Sequence, residues 1–289
     1  MSVVAQTAAP SHADGGHVGG FGAGRRTDQW WVGPALTFGG LMAFILYATW
    51  AAFQGDHFWA EPYLSPFYSP VLFMPPPSVE LSMDAHGLPK HVWLADSAWP
   101  AWWPPFLPPS PAFLILIFPG VFRFTCYYYR KAYYRSFAGA PVACSVEGIP
   151  QKNYRGETFL MVFQNLHRYA LYFALAFLFI LAYDAIHSFF REGQFGIGVG
   201  SVILTINVVL LTCFTCGCHA FRHLVGGRLD CFSCDKGASV RHGVWSRVTC
   251  LNQRHMLFAW LSLFWVGLAD LYVRLVSMGI VRDLNTWNG

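Results

Sequence analysis

Five stretches of mostly apolar residues constrain this chain more than any other feature. An α-helix needs about 20 such residues to cross the hydrocarbon core of a bilayer. The stretches lie at about 32–53, 111–129, 159–190, 195–221 and 256–273. The first and fourth are almost free of charge, and the second opens on Pro111, a favourable first-turn residue. Only 12% of the chain is charged, against about 25% in ordinary soluble domains. Aromatic residues make up 18%, the composition of interfacial anchors. The predicted fold class is an all-α membrane protein with five transmembrane helices in one domain over residues 29–289.

Basic residues set the orientation, because they collect in the loops left on the cytoplasmic side. Thirteen of the 19 Lys and Arg fall in the N-terminal segment and in the second-to-third and fourth-to-fifth loops, and four fall opposite. The N-terminus is therefore predicted inside and the C-terminus outside. Residues 1–28, rich in Gly, Ala, His and Ser, read as a disordered inner tail. The loop from Gln54 to Ser110 is long and rich in Pro and aromatics, with FWAEPYLSPFYSP and WPAWWPPFLPPSP, and reads as a stiff outer cap. The basic charge follows a membrane face and no nucleic-acid-reading motif is present, so nucleic acid is excluded as a partner.

All eight Cys fall in inner half-spans or inner loops under this topology, which predicts reduced thiols rather than a disulfide scaffold. His167, His219, His223, His242 and His255 share that side. Soft and imidazole ligands thus concentrate at one leaflet. Arg123 lies three residues before Cys126, and an Arg at that depth needs an interior partner. The fourth span ends in TCFTCGCHAFRHLVGG, where Cys216, His219 and His223 would share one stripe of a continuous helix.

Three chemistries compete for these ligands. A bis-His haem b would draw on His167, His219 and His255. A zinc site would use the Cys231/Cys234 knuckle. A Rieske-type [2Fe–2S] cluster takes two Cys and two His, and Cys216-Gly-Cys218-His219 resembles one of its two ligand boxes; the other is absent. Cys126, Cys218, His167, His219, His223 and His255 all lie toward this leaflet, with Arg123, Arg130, Arg222 and Trp260 at the same depth. Cys213 and Cys250 read as small core hydrophobes. Asp184 and Asp270 sit at outer span ends, suited to pairing with Arg274 or to interfacial exposure. A metal-binding membrane transporter is the alternative class. It predicts polar residues through the mid-membrane, and the chain has no inverted repeat to support it.

The strings FRFTCYYYRKAYYRSF, FQNLHRYALYFA, CHAFRHLVGGRLD and NQRHMLFAWLSLFWVGLADLYVRL resemble the membrane anchor of succinate dehydrogenase or fumarate reductase, respiratory complex II. The likeness is to its single-chain, five-helix type, in the actinobacterial variety, and spans roughly residues 30 to 285. It implies an anchor in the bacterial inner membrane that docks a flavoprotein and an iron–sulfur subunit on its inner face and passes electrons to quinone. It leaves open whether the complex forms a higher oligomer in the lipid. Two-haem anchors carry a His in the first and second spans, whereas here the first has none and the second offers Cys126. The narrower resemblance implies a membrane-embedded Rieske-type [2Fe–2S] cluster, with haem b as the alternative. On that resemblance the ligand pool is Cys126 and Cys218 with two of His167, His219, His223 and His255, and Arg123, Arg130, Arg222 and Trp260 are quinone-pocket candidates.

Overall fold

A computed structural model describes residues 20–24, 26–73, 99–140, 142–149, 159–227 and 229–287. Most of the N-terminal tail and the centre of the Gln54–Ser110 loop lie outside these residues. The described chain is helical apart from two two-stranded ribbons. The helices are α1 (Val32–Gln54), α2 (Pro111–Thr125), α3 (Tyr127–Phe137), α4 (Leu160–His187), α5 (Val199–Cys216), α6 (His219–Gly226), α7 (Lys236–Gln253) and α8 (His255–Ser277). Four of them, α1, α4, α5 and α8, are long and apolar enough to cross a membrane singly; α2 and α3 together make a fifth candidate, bent by 80°.

Two expected spans are broken, each at a cysteine. The second was expected to run unbroken to residue 129, but it stops at Cys126, whose backbone is extended (φ −64°, ψ 131°). The fourth was expected to continue through 221. It ends at Gly217, and Cys218 adopts the same extended conformation (φ −66°, ψ 143°) before α6 begins. The predicted stripe of Cys216, His219 and His223 on one continuous helix therefore does not exist. Gly217 is packed too tightly for a side chain, since a Cβ there would sit 2.6 Å from Cys213 O and 3.2 Å from Leu251 O. Its carbonyl accepts a hydrogen bond from Asn252 Nδ2 at 2.8 Å, which pins the break against the end of α7. Helix α7 itself was read as loop. It is polar and lacks an apolar period, but Asp235 caps it by accepting from Ala238 N at 2.7 Å.

Residues 39–131 and 157–289 form one compact unit and residues 1–38 with 132–156 another. In the larger unit α5 packs on α8, α2 on α4, and α4 on α5. Small residues allow close approach: Gly40 faces Phe264, and Gly267 faces Phe44 and Tyr47. Residues 54–73 and 99–110 of the long loop are described. The cap begins at Gly55, whose positive φ of 64° turns the chain out of α1. It then forms a ribbon of β1 (Trp59–Ala60) and β2 (Tyr63–Leu64). Phe58, Trp59, Leu64, Phe67, Tyr68 and Val71 are buried with Ala51, Ala52 and Ala112, a core made by cap and helix ends together. Tyr68 ties the turn by donating to Ala51 O at 2.6 Å and accepting from Gly55 N at 3.2 Å.

Polar locks hold the cap to the helices. Ser65 donates to Asp270 and Ser69 to Asp184, and Tyr47 donates to Asp270 at 2.5 Å. Arg274 Nε lies 3.5 Å from Asp270 Oδ2, and Arg274 Nη1 donates to Asp56 O at 2.9 Å. Asp270, Arg274 and Asp184 are all buried, so pairing rather than interfacial exposure is their state. In the smaller unit, residues 22–24 run against 146–147 through Gly22 N to Glu147 O (2.8 Å) and Glu147 N to Ala23 O (2.7 Å). Arg26 pairs with Asp28, which lowers the carboxyl pKa through that hydrogen bond.

Candidate functional site

The two helix breaks converge. Cys126 and Cys218, each only 2% exposed, face one cavity of about 330 Å³, together with His167 from α4 and His255 from the start of α8. Each cysteine immediately precedes a helix, so the N-terminal amides of that helix approach its sulfur. Ala220 N lies 3.4 Å from Cys218 Sγ. A helix N-terminus favours a thiolate through its unpaired N–H groups and dipole. The two turns are alike in a further respect: each Cys is followed four residues later by an Arg, Arg130 and Arg222, whose amide closes the first turn onto the Cys carbonyl (2.9 and 3.0 Å).

The imidazoles are paired with the sulfurs. His167 Nε2 lies 2.9 Å from Cys218 Sγ, and His255 Nε2 lies 3.7 Å from Cys126 Sγ. His167 Nδ1 is 3.0 Å from the Phe122 carbonyl, which accepts only, so the proton belongs on Nδ1 and Nε2 is left with its lone pair toward the sulfur. His255 Nδ1 is buried, with no hydrogen-bond partner among the described residues. Both rings lie flat on phenylalanines, His167 on Phe122 (4.6 Å, 7°) and His255 on Phe214 (4.9 Å, 12°). Orientation of each ring is thus fixed from two sides. Among the described residues no three of His, Cys, Asp or Glu converge tightly enough to hold a single metal ion. What the site offers is two sulfur–nitrogen pairs.

The cavity is also lined by Gln164, Arg168, His219, His223, Arg130 and Asn252. His219 and His223 are therefore near the site but show no contact with either sulfur, unlike His167 and His255. Of the quinone-pocket candidates, Arg130 is buried and lines this cavity. Arg222 does not; its guanidinium lies 4.4 Å over Trp245. Trp260 stacks on Phe264 (5.8 Å) and neighbours Tyr129 (6.3 Å), outside the cavity.

Arg123 faces the other way. It lines a larger apolar cavity of about 440 Å³, walled by Phe44, Phe67, Phe113, Phe177 and others between α1, α2, α4, α5 and α8. Phe122 and Phe214, the rings under the two imidazoles, also line it and form the partition between the two spaces. Arg123 donates to Ser262 Oγ (3.0 Å), Ala259 O (3.3 Å) and Tyr129, and lies 4.6 Å over Phe214. Neutral oxygens and a π face are its partners, and no carboxylate pairs with it among the described residues.

Cys231 and Cys234, expected as reduced thiols or a zinc knuckle, are joined in a disulfide. Their Cα atoms are 5.7 Å apart, inside bonding range, and the pair sits in the partly exposed turn between α6 and α7. The six other cysteines are free. Cys216, which matched the sequence box better than Cys218, is not part of the cavity lining.

Comparison with curated proteins gives no match. Among solved structures, a chain of the Mycobacterium smegmatis Sdh1 complex in the apo form is similar at 44% identity, covering 90% of this chain and 92% of that one, with a TM-score of 0.75. A family model described as actinobacterial succinate dehydrogenase subunit SdhC matches residues 32–279. With breaks, cavity and helices lying inside those bounds, the chain belongs to the family of actinobacterial succinate dehydrogenase membrane subunits.

Proposed function

We propose that this chain anchors a succinate:quinone oxidoreductase in the cell membrane and completes its electron path to quinone at a mixed Cys/His iron–sulfur site. In this reading it crosses the bilayer five times, with the bent α2–α3 pair as one span. The N-terminus and the ends bearing the site face inside and the cap faces outside. The flavoprotein and iron–sulfur subunits dock on the inner face, against the basic segments 130–158 and 222–254.

The observation that carries the cofactor reading is the pair of sulfur–imidazole contacts at 2.9 and 3.7 Å in one buried cavity. A [2Fe–2S] cluster takes four protein ligands, two for each iron, and two Cys with two His are the Rieske-type set. Cys126, Cys218, His167 and His255 supply that set. Such a cluster, when bound, supplies one-electron transfer at about −150 to +300 mV, above the roughly −400 mV of plant-type all-thiolate clusters. The haem reading finds less support, because both Nε2 atoms are directed at sulfurs.

The remaining residues have definable tasks. The helix amides behind each sulfur and the buried Arg130 offset thiolate charge that would otherwise be costly at this depth. The Phe122 carbonyl holds His167 in the ligating tautomer. Reducing quinone to quinol takes two electrons and two protons. The apolar cavity has a volume within the usual range for small-molecule sites, roughly 300–1,000 Å³. Arg123, held at its edge by Tyr129, Ser262 and Ala259, places positive charge where a quinone oxygen gains negative charge.

Electron paramagnetic resonance on the reduced, detergent-purified complex tests this, with an optical spectrum of the same sample. A rhombic signal of mixed His/Cys ligation without a haem Soret band is expected. Cys126→Ser, Cys218→Ser, His167→Ala and His255→Ala each remove it, together with quinone reduction, while succinate oxidation by an artificial acceptor continues. His219→Ala and His223→Ala keep the signal. A Soret band, or a signal that survives loss of both His167 and His255, refutes the assignment.

A further inference from the structure

A third cavity lies at the opposite end of the bundle, where α4 and α8 finish. It has a volume of about 430 Å³ and is lined by Glu61, Tyr63, Arg191, Arg282, Asp283 and Trp287, among others. The outer segments carry few basic residues, yet two of the three arginines described at this end meet here. Neither Arg191 nor Arg282 makes a side-chain hydrogen bond or ion pair among the described residues.

Of the two acids that line the cavity, Asp283 is already committed. Asp283 accepts from Tyr63 OH (2.7 Å), Tyr272 OH (2.5 Å) and Gly200 N (3.1 Å), and from Asn285 Nδ2 (3.2 Å). That network explains the glycines opening the fourth span. A Cβ on Gly196 would strike the Trp287 indole, one on Gly198 the Tyr63 hydroxyl, and one on Gly200 the Tyr63 ring at 2.6 Å. Residues 283–287 lie along this shelf through Val199 N to Leu284 O and Thr286 N to Ile197 O, both 3.0 Å, and Trp287 Nε1 donates to Gln194 O at 3.0 Å. The cavity wall is therefore fixed, and among the described residues its two guanidinium groups and the exposed Glu61 carboxylate make no hydrogen bond or ion pair.

We propose that this cavity binds the phosphate of an anionic phospholipid at the membrane surface. Guanidinium groups suit phosphate because their planar N–H pairs match its oxygens two at a time. Trp287 stands where indoles gather, at headgroup depth, and Val276 and Val281 offer an apolar side to the glycerol and acyl carbons. The proposal rests on the membrane placement proposed above but not on the iron–sulfur site, so the two fail separately.

The whole complex, purified in detergent, is incubated with equal amounts of phosphatidylglycerol and phosphatidylcholine, and bound lipid is counted by native mass spectrometry. About 1 kcal/mol per arginine near an anionic headgroup corresponds to roughly a fivefold preference each, so about 25-fold for the pair. The wild-type complex is expected to retain a phosphatidylglycerol that the R191Q/R282Q double variant loses. R191K/R282K keeps the charge and most of the retention. If the double Gln variant does not assemble, Arg282→Gln alone, on the exposed rim, gives about a fivefold loss. Equal retention in wild type and variant overturns the proposal, leaving two solvated interfacial arginines. Displacement of the lipid by millimolar inorganic phosphate overturns it in favour of a free-ion site.

Discussion

Replacing Asp270 by Asn removes one negative charge and almost no volume from the lock between cap and α8. Asp270 is fully buried and receives Tyr47, Ser65 and Arg274. The two hydroxyls can rotate to suit an amide, but the Arg274 guanidinium cannot. It is 1% exposed, and among the described residues would keep Asp56 O at 2.9 Å and the Trp50 ring at 5.2 Å. Leaving a buried charge without its counter-ion costs about 3–5 kcal/mol. For a unit of this size each kcal/mol lowers the melting temperature by about 2–4 °C, so a fall on the order of 10 °C is expected. Replacing both members together, D270N/R274M, removes the orphaned charge as well as the pair. The double variant should therefore lose less than D270N alone, the signature of coupled neighbours. Tryptophan fluorescence during a temperature ramp of the detergent-purified complex measures both. A D270N shift of under about 2 °C, or a double variant that loses the sum of its parts, would refute the argument that this ion pair holds the cap.

Other substitutions test the site. Gly217→Val places carbon against the carbonyls of Cys213 and Leu251, so the break must shift and Cys218 with it; iron content per assembled complex should fall while the anchor still inserts. Asn252→Ala removes the bond to Gly217 O and should cost about 1 kcal/mol, read as a lower melting temperature with a weakened cluster signal. Arg123→Met keeps bulk but not charge; quinone reduction should drop by about tenfold or more with the cluster signal intact, since one transition-state hydrogen bond to charge is worth about 1.5–3 kcal/mol. Phe122→Ala opens the partition under His167 and should broaden the cluster signal, besides costing about 3–5 kcal/mol of core packing.

Length and hydropathy were enough to mark the helices long and apolar enough to cross a membrane, because a bilayer forces every backbone polar group into an internal hydrogen bond and leaves a run of about 20 apolar residues few alternatives. The family was legible for a related reason: aromatic and basic strings such as FRFTCYYYRKAYYRSF fall at fixed span ends. Periodicity could not reveal the breaks at Cys126 and Gly217. A helix pattern read along one segment does not register that Leu251 and Asn252 press on Gly217 from α7. The choice among histidines had the same limit. By spacing, His219 and His223 looked as good as His167 and His255, and Cys218 was preferred to Cys216 only narrowly. Only the packing of α4 and α8 against the two breaks brought His167 and His255 to the sulfurs. Asp270 and Arg274 are four residues apart, so their pairing was visible in the sequence. Their burial was not, since it depends on Ser65, Tyr47 and Asp56, brought in by the cap and α1. Sequence alone determined which segments are apolar enough to enter a membrane and which residue types cluster near one end, because solvent transfer acts on each residue locally. Tertiary structure decided which side chains meet, because ligand geometry is set by contacts between segments far apart in the chain.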